Sequence, residues 1–118
     1  MSHHVCHIEF NSTDLERSQA FYAQIFDWKF AAYGPEMVVF GTDAGHIGGL
    51  IKTDKVGAGD SPSVWFEVES VEETLGKALA AGGAVRSPKS PVPGVGWSGA
   101  FTDPDGNAVG LVEYSAER

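Results

Sequence analysis

His7 and Glu9 stand two residues apart in "VCHIEFN", and in an extended chain that spacing puts both side chains on one face. A carboxylate beside an imidazole can hold and orient its proton, which is the minimum equipment for general acid–base work. Further along, "SVWFEVES" sets Ser63, Trp65 and Glu67 on one face by the same alternation. Should His7, Glu9 and Glu67 converge, they would form an acid–base cluster or an improvised metal site, with Trp65 and Ser63 as ligand-binding neighbours. Trp97, in "PGVGWSG", is a third candidate, since an aromatic beside a Pro/Gly-rich loop suits a flat apolar ligand. The plainer readings stand next to these. A lone histidine is commonly a polar residue bonded to its neighbours, Trp65 and Glu67 fit a solvated surface, and core packing is the usual fate of a tryptophan.

These residues need elements to position them. "VCHIEFN" alternates apolar and polar and predicts a half-buried strand. "STDLERSQAFYAQIFDWKF" predicts an amphipathic helix over about 14–26, with Thr13 or Asp14 as cap and Leu15, Ser18, Phe21, Tyr22, Ile25 and Phe26 at helical spacing. Phe21 and Trp28 follow the core pattern. Extended structure resumes at Trp28 and Phe30, a turn falls at 33–36, and "MVVF" with "HIGGLI" predicts a hairpin that leaves His46 exposed at the start of its second strand. After a Gly, Asp and Ser-rich linker over about 54–61, "SVWFEVESVEETLGKALAAGG" repeats the grammar. Val64, Phe66 and Val68 take the core face, Ser70 caps a helix carrying Val71, Leu75, Ala78 and Leu79, and Gly82-Gly83 stops it. A short strand at 84–86, a loop "SPKSPVPGVGWSG" and a final hairpin complete the second half.

The repetition extends to individual residues. One constant offset pairs Phe40 with Phe101, Gly45 with Gly106, Gly49 with Gly110 and Leu50 with Leu111. Each half is therefore a βαβββ module, the first over about 1–53 and the second over about 62–118. A module of about sixty residues is marginal alone. Two together predict an α+β domain in which a curved mixed sheet has helices outside and a concave trough inside.

Composition narrows the partners. Sixteen acidic against eight basic side chains in 118 residues give a net charge of −8, which repels nucleic-acid phosphates and anionic lipid. A small-molecule ligand remains, and acidic Glu9 and Glu67 favour a neutral or cationic one. Cys6 is the single cysteine and lies in an apolar run, as expected of a buried thiol in a reducing compartment. With no leader-like N-terminus and no apolar run long enough to span a bilayer, the expected location is the cytoplasm. Nucleotide-binding loops and the common hydrolase motifs are absent, and "DPDGN" is explained by a tight turn rather than a calcium loop.

Through "HIEFNSTDLERSQAFYAQIFDWKF", "VPGVGWSGAFTDPDGNAVGLVE" and the internal repeat, the chain resembles the vicinal oxygen chelate superfamily of glyoxalases, bleomycin resistance proteins, epimerases and extradiol dioxygenases, in its single-domain glyoxalase-related branch. The resemblance implies a homodimer. It also implies four inward positions that hold a divalent ion in the metal-using members, and these fall on His7, Gly49, Ser63 and Gly110. Only His7 is a strong ligand, and glycine in a strand instead permits close approach of a ligand or another backbone. Gly49 and Gly110 are accordingly read as ligand-binding positions. The expected function is a glyoxalase-like small-molecule-binding protein, a lyase or isomerase if an enzyme, with no resident metal. The alternatives are a resistance-type module that sequesters a drug or metabolite, and a metal-dependent lyase or dioxygenase holding Zn²⁺, Ni²⁺, Mn²⁺ or Fe²⁺ through His7 and unconventional ligands.

Overall fold

The structure is a computed structural model that describes residues 3–115. The chain divides into two compact units, one of Cys6–Ser63 and one of Val64 onward together with the residues up to Val5.

In the first unit, β1 (Val5–Ser12) leads into α1 (Leu15–Ile25), followed by β2 (Lys29–Ala32), β3 (Met37–Thr42) and β4 (Gly45–Lys52). The strands lie in the order β2-β3-β4-β1, with β4 and β1 parallel and the other pairs antiparallel. Asp14 caps α1, its carboxylate accepting from the Arg17 N–H at 3.0 Å, while Ser12 turns the chain with Oγ accepting from the Asp14 N–H and meeting the Ser18 hydroxyl at 2.7 Å. That pairing lets Ser12 be buried without an unmet polar group. The core is aromatic: the Trp28 and Phe40 rings stack with centroids 4.2 Å apart, and Phe10, Tyr22 and Phe30 gather round them. Phe21 departs from the core expectation and is 57% exposed. The stripe of α1 that is half-buried runs through Leu15, Ser18, Gln19 and Tyr22, and at 100° per residue Phe21 falls beside it, touching Tyr22 only edge-on.

The second unit repeats the plan with β5 (Ser63–Glu67), α2 (Val71–Ala80), β6 (Ala84–Val92), β7 (Gly96–Thr102) and β8 (Ala108–Tyr114), in the order β5-β8-β7-β6 with β5 and β8 parallel. Ser70 caps α2, and the helix packs Val71 and Leu75 on Val68 and Leu111, with Trp97 and Phe101 alongside. The segment read as a loop after residue 86 is instead largely strand. β6 runs on to Val92 through two register shifts, and Pro88 and Pro91 are tolerated because β6 pairs with β7 alone in this unit. The "DPDGN" turn is tied by Asp103, whose carboxylate accepts from the backbone N–H groups of Asp105 and Asn107 and from the Asn107 amide. The Asn107 side chain and backbone hold the Asp103 carboxyl below the usual range.

Candidate functional site

In the first unit, strand alternation divides the sheet. Ile8, Phe10, Leu50 and Phe40 take the face toward α1, where their rings and side chains form the core. His7 and Glu9 take the opposite face, together with Gly49, which is the register partner of Glu9, and Val39 and Met37 beyond it. The expected pair is present. His7 Nε2 lies 3.1 Å from Glu9 Oε1, and both side chains are mostly withdrawn from solvent, at 15% and 17% exposed.

Sequence reading left out a third member. His46 Nε2 lies 2.8 Å from His7 Nδ1, the two rings within 10° of parallel and their centroids 5.1 Å apart. That separation is too long for face-to-face stacking at such a short nitrogen contact, so the imidazoles meet edge to edge, in line. Regular alternation would send His46 to the α1 face with Gly48. A β-bulge prevents it: Phe40 pairs with Gly48 and Gly41 with His46, leaving Ile47 as an extra residue that reverses the side of everything before it. A "GTDAGH" turn is a weak hint of such a bulge, and the side reversal has no residue-type signature.

The chemistry of the three groups fixes the direction of the hydrogen bonds. An ionised carboxylate only accepts, so His7 donates to Glu9 through Nε2. In a neutral His7 the lone pair is then on Nδ1, where it accepts from the Nε2–H of His46, and His46 Nδ1 is left as the nitrogen that can take up a proton. Burial, and after it the neighbouring His7, holds His46 below the ordinary imidazole value. It is thus favoured as the neutral base.

In the second unit, Trp65, Glu67 and Ser63 share the face of β5 opposite Val68 and α2, as alternation requires. The Glu67 carboxylate pairs with His4 at 3.1 Å, and the Glu67 N–H donates to the His4 carbonyl. Trp65 lies against its register partner Gly110. Trp97 packs beside the α2 core, with the Lys89 ammonium 4.7 Å from its ring centre. Its strand neighbour Glu113 accepts from the Val71 N–H at 2.9 Å and so satisfies the first turn of α2.

The four positions that the resemblance assigns to a divalent ion, His7, Gly49, Ser63 and Gly110, include one strong donor. His7 is an imidazole with its two nitrogens turned to Glu9 and His46, so an ion on one nitrogen would not be shared with the partner on the other. Ser63 offers a hydroxyl, Gly49 and Gly110 offer nothing, and a transition ion wants at least three nitrogen, sulfur or carboxylate ligands. Among the described residues no three His, Cys, Asp or Glu side chains are grouped to share an ion.

Fold and repeat together define a class. The family model for the Glyoxalase/Bleomycin resistance protein/Dioxygenase superfamily matches residues 4–111, and the chain belongs to that superfamily. Its fold is the α+β glyoxalase/bleomycin resistance fold. A hypothetical protein from Bacillus halodurans C-125 superposes with a TM-score of 0.78 at 12% identity, over 100% of this chain and 99% of that one. Methylmalonyl-CoA epimerase from Mycobacterium tuberculosis gives 0.74 at 10% identity, over 96% and 89%. The Mn(II)-bound glyoxalase from Novosphingobium aromaticivorans gives 0.68 at 20% identity, over 97% of this chain and 40% of that one. No curated protein sequence matches the chain, and among the described residues no helix is long and apolar enough to cross a membrane.

Proposed function

We propose that this glyoxalase-like protein binds a small, neutral or cationic organic molecule and moves a proton on it without the divalent ion its metal-using relatives employ. The observation that carries the reading is the in-line contact of Glu9, His7 and His46 on one sheet face, beside Gly49, the register partner of Glu9. His46 Nδ1 accepts the proton from the bound molecule, the proton on its Nε2 passes to His7 Nδ1, and the Glu9 carboxylate balances the charge that His7 gains. Return of the proton to another atom of the same molecule completes an isomerisation, and departure of a group completes a lyase reaction. The Glu9 carboxylate contributes negative charge that favours a cationic or neutral ligand. The cytoplasm and a homodimer are the setting that goes with this reading, by resemblance to related domains.

The test is a search for ligands that raise the melting temperature, followed by assay of each hit for isomerisation or cleavage with the parent, His46→Gln and Glu9→Gln. The expected result is turnover in the parent and at least a hundredfold slower turnover in both variants. Hits that bind at micromolar concentrations and are never turned over favour instead the sequestering module, the second reading supported by superfamily membership. Turnover that appears only on adding Zn²⁺, Ni²⁺, Mn²⁺ or Fe²⁺ would contradict both.

A further inference from the structure

Gly110 and Gly49 are partners in the internal repeat and both fall where the resemblance places metal ligands, yet the space above them is filled in different ways. A Cβ placed on Gly110 would fall within the Trp65 indole, with Cε2 2.8 Å away and Cδ2 and Cε3 nearer still. A Cβ on Gly49 would instead meet the thioether methyl of Met37 at 2.6 Å, with the Val38 carbonyl at 3.3 Å and His7 Cε1 at 3.4 Å. The methyl is the free end of a flexible chain and can swing aside. The indole is a rigid bicycle seated on its register partner across the parallel β5–β8 pair. Gly110 has none of the positive φ that would demand glycine. For its backbone alone alanine is acceptable and would even gain by restricting the unfolded chain.

We infer that Trp65 closes residue 110 to a metal-donating side chain: Gly110 is glycine in order to seat the indole, and the position that the resemblance assigns to a metal ligand is filled by an aromatic ring. The inference rests on the metal-free reading and deepens it. The loss of the metal ligand is then not reversible by one substitution, because a side chain restored at residue 110 has no room while Trp65 remains.

Thermal melts and nickel content after incubation with Ni²⁺ and desalting test this on the parent and on Gly110→Ala, Gly49→Ala, Trp65→Ala, Trp65→Ala/Gly110→Ala and Gly110→Glu. Gly110→Ala should lower Tm by about 5 to 15 °C through overpacking, and Gly49→Ala by no more than about 3 °C. Added to Trp65→Ala, which itself lowers Tm, Gly110→Ala should cost nothing further, so the two changes are strongly non-additive. Gly110→Glu should retain no more nickel than the parent. A Gly110→Ala Tm within about 2 °C of the parent, an equal cost of Gly110→Ala with and without Trp65, or one nickel per chain in Gly110→Glu would overturn the inference. Stoichiometric nickel in the parent itself would overturn the metal-free reading and this inference with it, whereas loss of the coupling overturns the Trp65 assignment alone.

Discussion

His46 meets His7 nitrogen to nitrogen at 2.8 Å, although regular alternation along β4 would place the two on opposite faces of the sheet. One extra residue, Ile47, makes the difference. The bulge turns an exposed hairpin residue into the terminal member of a carboxylate–imidazole–imidazole chain, and the geometry of the proposed proton transfer depends on it.

A pH dependence follows from His46. Its pKa in the folded protein is lowered by burial first and by His7 second, so the unfolded chain binds more protons than the folded one once pH falls below the ordinary imidazole value of 6.5. The contribution of this group to stability is therefore complete above that value and is lost as pH falls through it toward the lower folded value. Urea unfolding at pH 7.5 and pH 5.5 should show a larger loss of stability in the parent than in His46→Gln. An equal loss in both would contradict the lowered pKa assigned to His46.

The helix caps give a second expectation. Glu113 accepts from the Val71 N–H at 2.9 Å, and its carboxylate also lies 3.7 Å from the Lys89 ammonium. Glu113→Ala should cost about 1 kcal/mol, the usual cost of losing a cap at a helix start. Lys89 makes its ion pairs at 3.7 and 3.9 Å, beyond hydrogen-bonding distance, so Lys89→Met, which keeps much of the contact with Trp97, should cost about 0.5 kcal/mol or less. Denaturant midpoints of the two variants distinguish a cap from a surface pair.

In the first unit, burial orders the aromatic substitutions. Phe40 is 2% exposed and stacked on Trp28, so Phe40→Ala should cost about 3 to 5 kcal/mol. Phe21→Ala on the exposed side of α1 should cost about 1 kcal/mol or less. Comparable losses would show that Phe21 is covered in solution.

Much of this architecture is legible in the residues. The offset pairing Phe40 with Phe101 and Gly49 with Gly110 announces two copies of one module, Asp14 and Ser70 mark the helix starts, and alternation puts His7 with Glu9 and Trp65 with Glu67. What is not legible is local and geometric. Pro88 and Pro91 read as a loop because proline is poor in a strand, but β6 has pairing on one side only and keeps them. Phe21 matches a helical stripe in spacing and misses the narrower one that packs. His46 is hidden because a one-residue bulge has no hydrophobic period, and the Trp65–Gly110 contact because parallel pairing of β5 with β8 is a long-range fact. Glu113, two residues beyond Leu111 on β8, is found bonded to the first turn of α2.

The central claim is that Glu9, His7 and His46 form one hydrogen-bonded chain that carries protons and not a metal ion. Nitrogen-15 correlation spectra of the histidine rings, recorded across pH and again after one equivalent of Zn²⁺, test it most directly. When both rings are neutral the account predicts a proton on Nε2 of His7 and of His46, a His46 midpoint below the ordinary imidazole value, and no change on adding zinc. A His46 ring that titrates like a free imidazole, or zinc-induced shifts at the facing nitrogens of His7 and His46, would contradict it.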